Sequence, residues 1–493
     1  MSRGGHMGDA SQNQGEEVKP EDLIPRKQLL AYAQMVMPLS IIGLPIAIYI
    51  PAFYSGTLGL DLAAVGLVLM VARFSDVITD PLIGRLSDRT RTRFGRRRPW
   101  IAAGLPLMML SAYMLFVPTE PVSLGYLFLW IAAIYFGFTL IGIPYAAWGA
   151  ELSGNYHERS RVTGAREMFQ LLGLVLAICV PIIALSMAGD PAPDIDGSSP
   201  INSASPEAMS ALGWATIVLL PISVLILIGF VTEPKVHAAQ NISFTEGLRA
   251  IYRNGPFRRI ILSSIVGALA GSLNVSVAIL FFDHILKFAE MGLLLILVLF
   301  VAAFFGAPIW VGLGKKIGKH RALCVAAGFS LVAFSAVPLV VYVLMPNAPG
   351  FVFAAMLVIT LIQGLAAGAS PILGASMLAD VVDLDKMRTG EHRPGFLFAF
   401  LGMVRKIFEA AGVGIALPFI AYMGFNPQAD SQTELGTFAI TMIYCLVPLA
   451  LWIVSVAVIW NFPLTAERHA RIRAAYERKS ARRSKSVQPQ LAD

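Results

Sequence analysis

Charged residues are scarce in this chain. Only 14% of its 493 residues are Asp, Glu, Lys or Arg, whereas 56% are hydrophobic and the mean hydropathy is +0.68. Soluble domains carry about 25% charged residues, and a soluble core could not bury so much apolar surface. The composition therefore excludes an ordinary soluble protein.

Cysteine is scarcer still. The three cysteines, Cys179, Cys324 and Cys445, lie far apart in apolar stretches, without the close spacing of a metal site or a redox pair. No nucleophile with a neighbouring base and no cluster of metal ligands stands out either. We therefore expect packing roles for the cysteines, no enzyme activity and no bound cofactor.

Long apolar runs take up most of the sequence. Each is close to the ~20 residues that a helix needs to cross a bilayer, and turn and charge signals separate them. The predicted fold class is an all-α polytopic membrane protein with twelve transmembrane helices. These helices are expected near residues 29–54, 60–84, 99–118, 123–150, 160–187, 207–232, 257–282, 288–314, 320–343, 350–379, 394–424 and 434–463.

A polar stretch separates the sixth and seventh candidate helices, and the two halves echo each other. Glycine- and cation-rich segments follow both the second helix (84–98) and the eighth (312–321). Two pseudo-symmetric six-helix bundles with a site between them are typical of a rocker-type secondary transporter. The predicted division is an N-terminal tail (1–28), a bundle (29–232), a linker (233–256), a second bundle (257–463) and a basic tail (464–493).

Basic residues predict the orientation. The formal net charge of +7 comes from Lys and Arg in alternate connecting segments, most densely in 84–99, which holds seven arginines and one aspartate. This is the positive-inside pattern, so we expect no nucleic-acid partner. It places both termini in the cytoplasm, for a protein of the plasma (inner) membrane. The expected partners are a small-molecule solute and membrane lipids, and the expected state is a monomer.

The second candidate helix carries a cluster of ionisable residues. Arg73, Asp76 and Asp80 project from one face, with Thr79 beside them. Charge at membrane depth costs at least ~2.5 kcal/mol per residue on insertion scales and usually marks a functional site. Two carboxylates and a hydroxyl could bind sodium, or one carboxylate could carry a proton. The other interpretation is a structural Arg73–Asp76 salt bridge with Asp80 near the cytoplasmic end.

Two further helices carry candidates for the same site. Thr139 in the fourth helix could complete a cation site or bond back to its own helix. In the eleventh helix either Arg405 or Lys406 could pair with Glu409, which would leave the other cation facing a cavity. The candidate solute contacts are Arg166, Lys406, Tyr145, Gln170 and Gln363.

The arginine-rich segment also suggests a gate. Its Gly84, Asp88 and Arg89 could form a latch with acidic residues of the other half, and a solvated segment held by lipid headgroups is the alternative. The candidate partners at the end of the tenth helix are Asp380, Asp383 and Asp385.

Four segments resemble one family. VARFSDVITDP (71–81), TRFGRRRPWI (92–101), ADVVD (379–383) and VRK (404–406) are similar to the glycoside-pentoside-hexuronide:cation symporters of the major facilitator superfamily. The resemblance implies the major facilitator fold and a sodium or proton site formed by Asp76, Thr79, Asp80 and Thr139. It also implies that Arg166 and Lys406 belong to the sugar-recognition or central polar network.

The chain departs from the family pattern around the sugar. Thr79 replaces an asparagine, Ser40 and Gly142 replace aspartates, and Ala146 and Pro371 replace tryptophans. A melibiose-like galactoside is therefore not expected, and the retained cations favour an anionic sugar derivative. The predicted function is cation-coupled symport of a sugar or sugar-derived solute. The alternatives are transport of a lipid-like amphiphile, or a receptor or scaffold that transports nothing.

Overall fold

The computed structural model describes residues 23–119, 121–152, 156–187, 205–233, 254–389, 394–429 and 431–464. These residues are almost entirely helical, which confirms the predicted fold class. The predicted tails and linker lie almost wholly outside the described residues. The long helices are α1 (Arg26–Thr57), α2 (Leu62–Arg89), α3 (Arg98–Phe116), α4 (Leu124–Glu151), α5 (Tyr156–Met187), α6 (Pro206–Phe230), α7 (Gly255–His284), α8 (Ala289–Ile317), α9 (Lys319–Asn347), α10 (Val352–Ala367 and Ala369–Thr389), α11 (Pro394–Tyr422) and α12 (Glu434–Trp460).

Eleven of these described helices are long and apolar enough to span a membrane by composition alone. The exception is α11, which has 29 residues and carries Arg405, Lys406 and Glu409 near its middle. Its length suffices for a bilayer at 1.5 Å per residue. The helix that fails on composition thus brings charge to the centre of the protein, as α2 also does.

The ends of α2 and α10 differ from the prediction. The structure extends α2 to Arg89 and α10 to Thr389, so the segment from Gly84 to Arg89 and residues Asp380 and Asp383 are helical. Ser87 lies in the added part of α2, and its Oγ donates to the Gly84 carbonyl at 3.0 Å. The backbone hydrogen bonds of a helix do not require apolar side chains, so a helix can continue beyond the end of an apolar run.

Helix α2 is irregular where its carboxylates lie. At Ser75 the regular pattern is interrupted, because both the amide and the hydroxyl of this residue donate to the Ala72 carbonyl, at 3.3 and 2.7 Å. Pro81 lies inside the second segment and has no amide hydrogen to donate to the preceding turn. Asp76 and Asp80 therefore lie between two local irregularities, as in the discontinuous helices of many transporter sites.

We call the end of the bundle that carries residues 85–98 the basic end, and the other the opposite end. At the opposite end the two halves are in contact, since Gln428 Nε2 donates to the Ser55 carbonyl at 3.4 Å. Deeper in the protein, α2 and α11 pack so closely that a Cβ added at Gly66 would lie 2.7 Å from Leu417 Cβ. We call this contact between α2 and α11 the seam, and it continues along the two helices to Asp80 and Lys406.

Replacing Gly66 by leucine should destabilise the seam. The added side chain would clash with Leu417 and Pro418, and overpacking of this kind costs about 1–3 kcal/mol. We expect Gly66→Leu to lower the thermal unfolding temperature in detergent. Gly328→Leu is the matched control, because no atom lies within 4 Å of a Cβ at Gly328. Equal unfolding temperatures for the two variants would contradict this account.

Candidate functional site

Lys406 connects the two halves of the protein at its centre. Its Nζ lies 2.5 Å from Asp80 Oδ2 and 3.3 Å from Asp76 Oδ2. The Asp76 side chain is 3% exposed, that of Asp80 17% and that of Lys406 33%. One ammonium group from α11 thus neutralises charge on both carboxylates of α2. Of the two pairings that spacing suggested for Glu409, the structure has the one with Arg405, at 3.5 Å.

Other polar groups hold the two carboxylates in place. Thr139 Oγ1 on α4 donates to Asp80 Oδ1 at 2.8 Å, so this hydroxyl contacts the carboxylate and does not bond back to its own helix. Arg73 forms a 3.3 Å salt bridge with Asp76, and its guanidinium lies 4.5 Å above the ring centre of Tyr135. The predicted structural salt bridge is therefore present, but Asp80 lies in the central cluster.

Two buried oxygens in this region have no hydrogen-bond partner among the described residues. They are Asp76 Oδ1 and Thr79 Oγ1. Buried polar atoms are nearly always satisfied, so such an atom calls for an explanation. Together with Asp80 and Thr139 they make a set of carboxylate and hydroxyl oxygens, which are the ligands that hard cations prefer. The set has the chemistry to hold a small cation, and a carboxylate in it could instead take up a proton.

A cavity of about 960 Å³ opens beside the cluster. In the N-terminal half it is lined by residues of α1, α2 and α4, including Arg73, Asp80 and Thr139, whereas all six helices of the C-terminal half contribute. Most of its wall is aliphatic or aromatic. Lining residues such as Ile260 and Ile459 lie near the basic end of α7 and α12, so the cavity extends from the centre towards that end.

Gln363 lies in the wall of this cavity and carries an unpartnered hydrogen-bond donor. The side chain lines the wall and is 7% exposed, and its Nε2 is buried without a partner within the described chain. Only Gln363 and Lys406 of the five predicted solute contacts line the cavity. Each lining cation, Arg73, Arg405 or Lys406, has a carboxylate within 3.5 Å, so the net basic site that we expected is largely neutralised.

The other three predicted solute contacts lie away from the cavity. Arg166 pairs with Glu167 at 2.7 Å. The Tyr145 ring stacks on Tyr32, and each tyrosine hydroxyl donates to the carbonyl of the other residue. Gln170 is half-buried on α5 and is not among the described lining residues. In this conformation the structure does not bring these residues together with Lys406.

Two of the predicted latch residues, Asp88 and Asp380, pair within their own halves. Asp88 lies 2.5 Å from Arg97, which also contacts Glu151 at 2.8 Å. Burial opposes the charge of Arg97, but its bonds to Glu151 and Asp88 outweigh burial and raise its pKa. Arg89 is exposed, Gly84 lies on α2, and the Asp383 side chain falls outside the described residues. The latch between halves stays a prediction.

The two halves carry corresponding ion pairs at the basic end. In the N-terminal half Arg97 at the start of α3 binds Glu151 at the end of α4. In the C-terminal half Lys319 at the start of α9 binds Asp380 on α10, at 2.6 Å. Each pair ties the third helix of a bundle to the fourth. The pseudo-symmetry that the sequence suggested is thus visible in the contacts.

Two six-helix bundles that enclose a central cavity, with buried charges at their interface, define a membrane transporter. Residues 31–466 match the family described as MFS/sugar transport protein, and the chain belongs to this family. The D-xylose-proton symporter has the same fold, with a TM-score of 0.60 at 13% identity over 89% of this chain and 97% of that structure. The protein is therefore an integral membrane transporter of the major facilitator type, which is not a family of enzymes.

Curated relatives include both lipid and sugar transporters. The chain is 25% identical to the sodium-dependent lysophosphatidylcholine symporter 1 of Mus musculus, over 91% of this chain and 87% of that protein. It is 24% identical to the isoprimeverose transporter of Lactiplantibacillus pentosus, over 90% of each protein. Both matches extend over nearly the whole transporter.

Sequence reasoning missed several residues of the central cluster and the basic end. It gave no role to Tyr135 beneath Arg73, or to Glu233, whose carboxylate accepts from the backbone amides of Arg96 and Arg97 at 2.7 and 2.9 Å. The only sequence feature that could have pointed to Glu233 is its position at the end of an apolar run, next to a proline. The partners of Glu233 are more than a hundred residues away, so no local pattern could identify them.

The interaction between Asp80 and Lys406 should be measurable as a coupling energy. In a double-mutant cycle with Asp80→Asn and Lys406→Gln we expect about 1–3 kcal/mol of coupling in detergent, because both groups are largely shielded from water. The matched cycle for the exposed Arg405–Glu409 pair should give only about 0.3–0.5 kcal/mol. Equal coupling energies in the two cycles would contradict the assignment of a central ion pair.

Proposed function

We propose that this protein is a cation-coupled symporter whose coupling ion binds at Asp76 and Asp80. The observation that carries the proposal is the pair of buried, unpartnered oxygens, Asp76 Oδ1 and Thr79 Oγ1, on the same helix as Asp80, whose side chain lines the cavity. The names of the mouse lysophosphatidylcholine relative and of the xylose-proton symporter support ion coupling, one by sodium and one by protons. The ion is sodium or a proton.

The coupling ion and Lys406 would compete for the same carboxylates. Lys406 Nζ already contacts Asp76 and Asp80, and a second positive charge among these groups would be repelled. Binding of sodium, or protonation of Asp80, would therefore weaken the hold of α2 on Lys406. Because Lys406 belongs to the C-terminal half, this exchange would change the contact between the halves at the depth of the cavity.

The freed Lys406 would then face the solute. A solute with a negatively polarised group could bind Lys406 and Gln363 Nε2, which both border the cavity. Ion and solute would each favour the state in which Lys406 has left the carboxylates. Coupling of this kind is reciprocal, so each ligand should tighten the binding of the other.

We place the basic end in the cytoplasm, because lysine and arginine are enriched there. The seam of α2 and α11 closes the opposite end, while the cavity extends towards the basic end. The conformation would therefore be the one that exchanges solute with the cytoplasm. In the outward-facing conformation the seam would open, and the ion pairs within each half would travel with their bundles.

Two solute classes fit the cavity to different degrees. A sugar or sugar-derived solute agrees with the isoprimeverose relative, and Gln363 offers it a donor. A lipid-like amphiphile agrees with the lysophosphatidylcholine relatives. The largely aliphatic and aromatic wall favours the amphiphile, because sugar hydroxyls buried without partners lose hydrogen bonds to water.

Replacing Asp80 should abolish coupled transport. In proteoliposomes with imposed sodium or pH gradients, Asp80→Asn and Asp76→Asn should reduce concentrative uptake to the level of liposomes without protein, because the ion has lost a charged ligand. Glu207→Gln is the control, since Glu207 is exposed at the start of α6 and does not line the cavity. Accumulation retained by both aspartate variants would refute the coupling site.

The same proteoliposomes can define the ion and the solute class. We expect one of the two gradients, imposed separately, to drive uptake from a panel of neutral sugars, sugar acids and lysophospholipids. Thr79→Val should raise the ion concentration needed for half-maximal uptake by about tenfold, since it removes one oxygen while preserving the side-chain shape. Uptake that responds to neither gradient would exclude symport.

A further inference from the structure

The cavity is strongly asymmetric between the halves. In the C-terminal half α9 and α12 line it, whereas the corresponding helices of the N-terminal half, α3 and α6, supply no lining residue in the described chain. The cavity is therefore not confined to the space between the two bundles. It passes α7 and enters the interior of the C-terminal bundle.

We call this extension the side pocket and define it by six lining residues. They come from the four helices that surround it, and they are Gly267 on α7, Cys324 and Ala327 on α9, Gly374 and Met377 on α10, and Val456 on α12. None of these residues is charged. The side pocket is thus chemically distinct from the centre of the cavity, where Arg405 and Lys406 lie.

Missing side chains create the space. A Cβ added at Gly267 or Gly374 would find no atom within 4 Å, although both glycines are helical and line the pocket. Protein interiors normally leave few voids larger than a water molecule. Gly364 of the same bundle, in contrast, serves close packing, since a Cβ there would lie 2.7 Å from Ala302 Cβ. The glycines of the side pocket instead leave room for a ligand.

Two serines near the side pocket bond to each other. Ser263 Oγ on α7 and Ser455 Oγ on α12 are 2.7 Å apart, and the Ser455 hydroxyl also lies 3.3 Å from the Ser263 carbonyl. These hydroxyls are therefore engaged between the two helices. The six residues that define the side pocket offer a sugar ring no side-chain hydroxyl, amide or charge, so its own hydroxyls would lose hydrogen bonds to water, which is costly. A hydrocarbon chain would have a matching wall.

We propose that the side pocket binds the hydrocarbon chain of a single-chain amphiphile whose polar head lies near Arg405, Lys406 and Gln363. The proposal rests on the transport function proposed above and deepens it, because it assigns the solute class and the place of its apolar part. The argument is the arrangement of charge along one continuous cavity. Charged side chains lie at the centre of the cavity, and the side pocket that extends from it is uncharged.

The dependence of transport on chain length tests the proposal. Wild-type protein in proteoliposomes should take up a palmitoyl lysophospholipid far better than its hexanoyl homologue, since each buried methylene adds roughly threefold to fourfold in affinity. Gly267→Leu and Gly374→Leu fill the side pocket without a backbone clash. They should reduce palmitoyl uptake by at least about tenfold and leave hexanoyl uptake within about twofold.

Gly328→Leu is the matched control. Gly328 is also a helical glycine with no atom within 4 Å of an added Cβ, but it does not line the cavity. The uptake of this variant should therefore depend on acyl-chain length as it does in the wild type. Palmitoyl uptake unchanged in both filled variants would overturn the proposal. A wild-type protein that takes up sugars and no lysophospholipid would overturn it too, yet would leave the proposed symport intact. Symport itself fails only if wild-type uptake ignores both ion gradients.

Cys324 gives a second measurement that needs no bulky substitution. This thiol lines the side pocket and can be the only cysteine after Cys179→Ala and Cys445→Ala. Palmitoyl lysophospholipid should slow its reaction with a small methanethiosulfonate reagent by at least about fivefold, and the hexanoyl homologue should protect it much less. Equal protection by the two lipids, or protection by neither, would show that the hydrocarbon chain lies elsewhere.

Discussion

One ammonium group shared between two carboxylates joins the halves of this transporter at their centre. Lys406 contributes the positive charge, Asp76 and Asp80 the negative charges, and all three are at least two-thirds shielded from water. Removing one partner from such a cluster leaves an uncompensated charge in a poorly polar environment. Any change in the contact between α2 and α11 must therefore supply a substitute for the group that leaves. In the proposed symport, the coupling ion and the solute would be these substitutes.

The surrounding structure maintains this cluster. Thr139 and Arg73 fix the two carboxylates from the N-terminal half, while α11 carries enough charge that its composition alone does not identify it as a membrane span. Near the basic end, salt bridges tie α3 to α4 and α9 to α10. These pairs lie within bundles, so each bundle can move as a unit while the central cluster changes partners.

The sequence predicted the features that depend on local pattern. Apolar runs placed the twelve helices, and the three- and four-residue spacing placed Arg73, Asp76 and Asp80 on one face. Helix ends were less accurate, because α2 continues to Arg89 through polar residues that the apolar pattern does not include. The partner of Lys406 could not be predicted from spacing, because spacing compares only residues one turn apart on the same helix, and it suggested Glu409. The partners of Lys406 in the structure lie on α2, in the other half. The side pocket was equally hidden, because a glycine such as Gly267 can serve either close packing or open space.

Ion binding to the purified protein tests the central claim most directly. Sodium affinity and proton uptake can be measured by calorimetry for the wild type and for Lys406→Gln. If the coupling ion and Lys406 compete for Asp76 and Asp80, the neutral variant should bind the coupling ion more tightly than the wild type. Unchanged or weaker ion binding in Lys406→Gln would contradict the account.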